Sequence, residues 1–252
     1  MPLTRRCAVV PVALAVLPLT LAAAAAHAAE PQRYGLDPVH TRVMFAVSHA
    51  GFSQAIGTVS GASGSLLFDR DDWRSARLEV SVPLARLDLG DAKWNAATLA
   101  ANLLDGKRHP LARFVSETVE PLPGEGEHPS DRARVCGALS LHGVTRPLCM
   151  DVRLNAYKRH PLPPFRHTAG FSATARLSRA EFGIDAWKSV IGDEVELRIE
   201  AEAVRNRHLD AEPGAPADSK PIPDPGAPPP SPTDTPPNPS SSAATPEPEP
   251  RR

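Results

Sequence analysis

The chain has 252 residues, and 28 Lys and Arg against 29 Asp and Glu leave a formal net charge of -1. That balance supplies neither a basic field for nucleic acid nor an acidic surface for basic partners. Nucleic acid is excluded as an expected partner.

Met1 to Ala29 opens with Arg5 and Arg6, continues in an apolar run from Cys7 to Ala26, and reaches small residues at Ala26-His27-Ala28. This is the layout of a cleaved secretory signal over residues 1–28. The competing reading is an N-terminal anchor, against which Pro11 and Pro18 interrupt the run. After cleavage the product is not expected to be an integral membrane protein. Cys7 leaves with the signal, and Cys136 and Cys149 remain in a compartment that permits disulfides. Periplasmic or secreted localisation follows as an expectation.

Residues 30–205 alternate with period two in nearly every long segment, the mark of strands with one dry face. In "TRVMFAVSH" the residues Thr41, Val43, Phe45, Val47 and His49 share a face. "GSLLFD" and "RLEVSVPLARL" follow, the second aligning Leu78, Val80, Val82 and Leu84. "GDAKWNAATLAANLLDGKRHP" breaks the pattern: Asp91 suits an N-cap, and Gly106 and Pro110 suit a stop, so a helix is predicted over Asp91 to Asp105 with Ala92, Ala96, Leu99 and Leu103 on its apolar stripe. "ARFVSETV", the two arms of "VCGALSLHGVTRPLCMDV", "AGFSATARL" and "DEVELRIEAEAV" complete about eight strands. Eight antiparallel strands, each apolar on one face, suit an up-and-down barrel or a sandwich.

The centre of the Val135 to Val152 hairpin, Leu141-His142-Gly143-Val144, reads as a two-residue turn of type I'. That turn opposes Leu141 to Val144, Ala138 to Pro147 and Cys136 to Cys149, the cysteines falling at a non-hydrogen-bonded pair where Cα atoms lie roughly 4.5 Å apart. A Cys136–Cys149 disulfide is expected; a longer turn would shift the register and leave two unpaired thiols. Residues 206–252 hold about half of the chain's 29 prolines and almost no large apolar side chain, the composition of a disordered tail with polyproline stretches.

Three segments resemble one family. "YGLDPVHTRVMFAVSHAGFSQAIGTVSGASGSLLFD" is similar to the opening of the YceI-like, polyisoprenoid-binding family, "LSLHGVTRPL" to its L-x-G-V-T-(K/R)-P hairpin, and "ARLSRAEFGI" to its L-x-R-x-x-F-G-I segment. The resemblance implies an all-β, extended lipocalin-like antiparallel eight-stranded barrel with one inserted helix. It implies an exported, often dimeric protein holding an isoprenoid or other amphiphilic lipid. The family's helix commonly carries an Arg-Asp pair near its start, where this chain has Trp94 and Asn95. That departure leaves the head group of any ligand open.

Within such a barrel the inward candidates for ligand contact are Val43, Phe45, Val47, His49, Leu66, Phe68, Val80, Val82, Trp94, Leu99, Leu103, Phe114, Phe171, Leu197 and Ile199. The small Ala173 and Ala175 would leave space among them. His49 reads equally as a polar group in the lumen or as a strand-end histidine bonded to backbone. Trp187 suits either a barrel end or a dimer contact. No G-x-S-x-G, H-E-x-x-H or C-x-x-C-H motif occurs, so neither an enzyme, a metal site nor a cofactor is expected. The alternative function is a filled, non-catalytic module that acts in the envelope through its Pro-rich tail.

Overall fold

The computed structural model describes residues 30–124 and 130–206. The expected signal (1–28) and all of the expected tail except Asn206 lie outside them. Eleven strands form one antiparallel sheet: β1 (Gln32–Leu36), β2 (Arg42–His49), β3 (Ser53–Ser60), β4 (Ser63–Phe68), β5 (Arg77–Pro83), β6 (Leu87–Asp88), β7 (Leu111–Pro121), β8 (Arg132–Leu141), β9 (Val144–Arg159), β10 (His167–Ser178) and β11 (Ile191–Arg205). Helix α1 (Ala92–Thr98) sits between β6 and β7.

The barrel closes because β11 is long enough to serve two neighbours. Its last residues pair with β1 (Tyr34 with Arg205, Leu36 with Ala203), and its first pair with β2 (Phe45 with Leu197, His49 with Ile191). The closed ring is therefore β1-β4-β5-β7-β8-β9-β10-β11, eight strands, while β2, β3 and β6 extend the wall at one end. The expected eight-stranded barrel is present. β1, β3 and β6 are not among the expected strands: β1 and β6 are very short, and Gly57 interrupts the apolar pattern of β3.

β11 shows how sequence makes the wall. Val195, Leu197, Ile199 and Ala201 face inward, and Glu194, Glu196, Arg198 and Glu200 face water, where Arg176 of β10 bonds Glu196 at 3.0 Å. Such exposed pairs contribute little stability, but they keep the outer face wet.

One end of the barrel is plugged. The short 3-10 turn Trp73–Ser75 between β4 and β5 carries the Trp73 ring inward, where it meets Phe68 edge-on at 5.2 Å, and Phe171 meets Phe68 at 5.6 Å. Each such pair adds about 0.5–1.5 kcal/mol beyond the area it buries. Beneath them Tyr34 is wholly buried and its hydroxyl lies 2.9 Å from that of Tyr157.

The helix is shorter than expected. Asp91 caps it as predicted, its carboxylate accepting the Lys93 and Trp94 N–H groups, but it ends at Thr98 and the chain continues in turns to His109. Leu103 and Leu104 both pack on the core, and a continued helix would hold successive side chains about 100° apart. Bending the backbone, with Asp105 at φ 46°, turns both inward. Ala92 and Ala96, expected on the buried stripe, are exposed.

At the β8–β9 turn His142 and Gly143 have φ of 53° and 76°, as a type I' turn requires. The register opposes Cys136 to Cys149, their Cα atoms are 4.0 Å apart, and they form the expected disulfide.

Candidate functional site: an apolar tunnel with one open end

The inward faces enclose a cavity of about 750 Å³, within the range of pockets that hold small ligands. It is long rather than round. Along β11 it is lined from Ile191 to Ala201, a span on the order of 25 Å at the rise of a strand and the tilt usual in barrels. Its blind end is the Phe68–Trp73–Phe171 plug; its mouth lies where the β2–β3 turn, α1 and the β10–β11 connection meet.

Fourteen of the residues expected to face inward do line the cavity: Val43, Phe45, Val47, His49, Leu66, Phe68, Val80, Val82, Trp94, Leu103, Phe114, Phe171, Leu197 and Ile199. Leu99 does not. It follows the last helical residue and packs on Gly106, outside the lining, a consequence of the shortened helix. Ala173 lines the cavity and Ala175 does not.

Several lining residues are not among the expected inward set. Val135, Leu139, Leu148 and Met150 line the cavity from β8 and β9, and alternation about the cysteines could have identified them. Trp73 was hidden in a segment that reads as a turn, because nothing local says a turn will fold over a barrel end. Trp187, for which a barrel end is one of the two expected places, reaches the mouth together with Val190, which no pattern marks.

Among the described residues no carboxylate lines the cavity, and the guanidinium that does is that of Arg179. That guanidinium is 5% exposed and donates to the carbonyl oxygens of Ile184, Ala186, Ile191 and Gly192 at 2.6–2.9 Å. It pins the β10–β11 connection around the mouth. A charged group drawn into the tunnel beyond this point would lose its hydration without a partner, so the interior selects an apolar body.

The mouth is more polar. The His49 ring lies 5.6 Å from the Trp94 ring, so the histidine is a lumen-edge group beside an aromatic wall. Asn95 does not face the cavity: its side chain accepts from the Leu89 N–H at 2.8 Å and donates to Asp88 at 3.1 Å, tying α1 to β6. The two residues standing where the family usually has Arg-Asp thus divide into one wall residue and one tether.

Among the described residues the other histidines lie outside the cavity lining. His40 bonds Asp37 at 2.8 Å, which raises its pKa, and Glu202 completes a group whose ligand atoms lie within 4.8 Å of one another. His167 begins β10 and packs edge-on against Tyr157 at 4.5 Å. Burial, with Arg205 and Arg159 nearby, lowers its pKa.

A closed antiparallel barrel with an elongated apolar interior defines a lipocalin-like fold. The profile of the YceI-like domain family matches residues 34–203, and the chain belongs to that family. A UPF0312 protein of Pseudomonas fluorescens is 31% identical over 195 residues, 77% of this chain and 96% of the relative. One from Serratia proteamaculans is 30% identical over 66% of this chain and 82% of its own length. Among solved structures, Burkholderia cenocepacia BcnA superposes with a TM-score of 0.57 at 22% identity, covering 66% of this chain and 98% of BcnA. A polyisoprenoid binding domain from Saccharophagus degradans, implicated in plant cell wall breakdown, gives 0.51 at 15% identity, covering 69% and 98%. At these identities the structural likeness establishes the fold. Among the described residues no helix is long and apolar enough to cross a membrane.

Proposed function

We propose that the protein binds one long apolar-tailed lipid, of the isoprenoid class or of similar shape, and carries it through the aqueous compartment of the bacterial envelope without breaking bonds. The observation that carries this reading is the tunnel: about 750 Å³, elongated, and apolar from the Phe68–Trp73 plug to the Trp94 mouth. Burying a chain there contributes roughly 25 cal/mol per Å² before the costs of association. The Saccharophagus degradans relative described as polyisoprenoid binding supports the ligand class. The signal-like residues 1–28 and the Cys136–Cys149 bridge support a periplasmic or secreted protein.

The test is native mass spectrometry of the protein from the exported fraction, followed by organic extraction of whatever it releases. About one prenyl chain or comparable amphiphile per barrel is expected. An apo mass that persists after incubation with isoprenoid lipids would overturn the carrier reading and move attention to the Pro-rich segment as an interaction element.

A further inference from the structure

The mouth of the tunnel is ringed by aromatic side chains that the fold leaves in water. Phe52 at the tip of the β2–β3 turn is 92% exposed, Trp187 in the β10–β11 connection 62%, and Trp94 at the start of α1 46%; Val190 is exposed beside them. Three separate segments are held together there. The Ala50 N–H donates to the Val190 carbonyl, the Phe52 N–H to the His49 carbonyl at 3.0 Å, and the Val190 and Ile191 N–H groups to the Trp187 carbonyl at 2.8 Å. Ile191 in turn pairs with His49, whose ring faces Trp94.

Fold stability does not account for this arrangement. Trp187 has φ 58°, a region that bulky side chains avoid, and it gains little burial in return. Two of the chain's three tryptophans stand at this rim, and each has an exposed lysine next to it in sequence, Lys93 before Trp94 and Lys188 after Trp187. Tryptophan with a neighbouring lysine matches the boundary of a bilayer, where an apolar ring with one N–H sits at the level of the head groups and an ammonium reaches anionic phosphates. Trp94, Trp187 and Val190 also line the tunnel, so the patch and the interior are one continuous apolar surface. The outer ends of the first and last strands lie on the far side: β11 runs from the mouth to the plugged end, and β1 begins at that same end, pairing Gln32 with Phe68.

From this we infer that the aromatic rim is a docking surface for a lipid bilayer, through which the tunnel loads its ligand directly from the membrane interface. This rests on the carrier reading and adds its partner. Phe52 and Trp187 enter the head-group layer, Lys93 contacts anionic lipid while Lys188 is ion-paired with Asp185 at 3.1 Å, and the mouth is held against the surface so that an apolar chain passes from bilayer to tunnel without crossing water.

The test uses the full exported chain with vesicles of phosphatidylcholine containing phosphatidylglycerol. Flotation with the vesicles and a shift of tryptophan emission to shorter wavelength are expected. Phe52→Ser, an exposed tip outside the lining, should weaken vesicle binding about tenfold, since one buried aromatic is worth roughly that factor. It should leave uptake of a fluorescent prenyl probe added from ethanol unchanged. Trp187→Ser should weaken vesicle binding to a similar degree. Val82→Trp, which obstructs the tunnel, should still dock and fail to take up the probe. A native chain that does not float, or variants that float as well as the native chain, would overturn the docking surface. So would a dimer that Phe52→Ser dissociates in the absence of any vesicle binding, because a second copy would then be the partner. Docking without probe uptake by the native chain would instead sink the carrier reading and leave the docking surface standing.

Discussion

Cys136 and Cys149 are bonded across β8 and β9, on the opposite side of the wall from Val135 and Met150, which line the tunnel. The bridge therefore ties the wall from outside and has no contact with the lumen. It joins residues that the hairpin already holds in register, so reduction should cost at most about 2 kcal/mol, the low end for a disulfide. Chemical denaturation with and without reductant measures this, and probe binding to the reduced, still folded protein should be unchanged. A loss above about 4 kcal/mol would mean that the hairpin depends on the bridge.

Gly57 controls the lumen through a neighbour. A Cβ at this position would lie 2.3 Å from the tip of the Phe45 ring, which lines the cavity, and 3.1 Å from the Asp88 carbonyl. Gly57→Ala should displace the ring, at about 1–3 kcal/mol of stability, and reduce ligand uptake. Unaltered uptake, read with the same fluorescent probe, would show that the ring yields toward another side.

Arg179 is the hub of the mouth. Arg179→Met keeps most of the aliphatic bulk but strips four carbonyl oxygens of their donor, and each buried acceptor left unsatisfied costs about 1–3 kcal/mol. A fall in stability of about 3 kcal/mol or more is expected, with faster amide exchange of the Val190 and Ile191 N–H groups. Normal exchange there would show that the connection is held by its own backbone bonds.

Two histidines give the protein opposing pH responses. The pKa of His167 is lowered by burial, so its contribution is present above the ordinary value near 6.5 and is lost as pH falls through the folded value. His40, raised by its bond to Asp37, contributes below 6.5 and loses that contribution as pH rises through its folded value. His167→Phe should flatten the fall in melting temperature on acidification below pH 6.5, and His40→Gln should flatten the fall as pH rises above 6.5. Identical slopes in all three proteins would show that neither group is linked to folding.

The parts of this molecule that were legible in the sequence are those set by strict local rules. Alternation placed Val195, Leu197 and Ile199 on one face, and a two-residue turn set the pairing of Cys136 with Cys149 over the whole hairpin. What was not legible depends on geometry that no short window contains. Leu99 obeyed the helical period but lost its helix when Leu103 and Leu104 turned toward the core. The closure of the ring depends on a short β1 reaching the last few residues of β11, and Trp73 becomes a plug only once the ring exists.

The path of β11 also fixes how this protein can be handled. Because β1 starts and β11 finishes at the plugged end, a surface linkage made at either strand end, Gln32 or Arg205, lies on the side opposite the mouth. A layer of molecules immobilised in that way would present their openings uniformly outward, ready to meet a vesicle or a dispersed ligand.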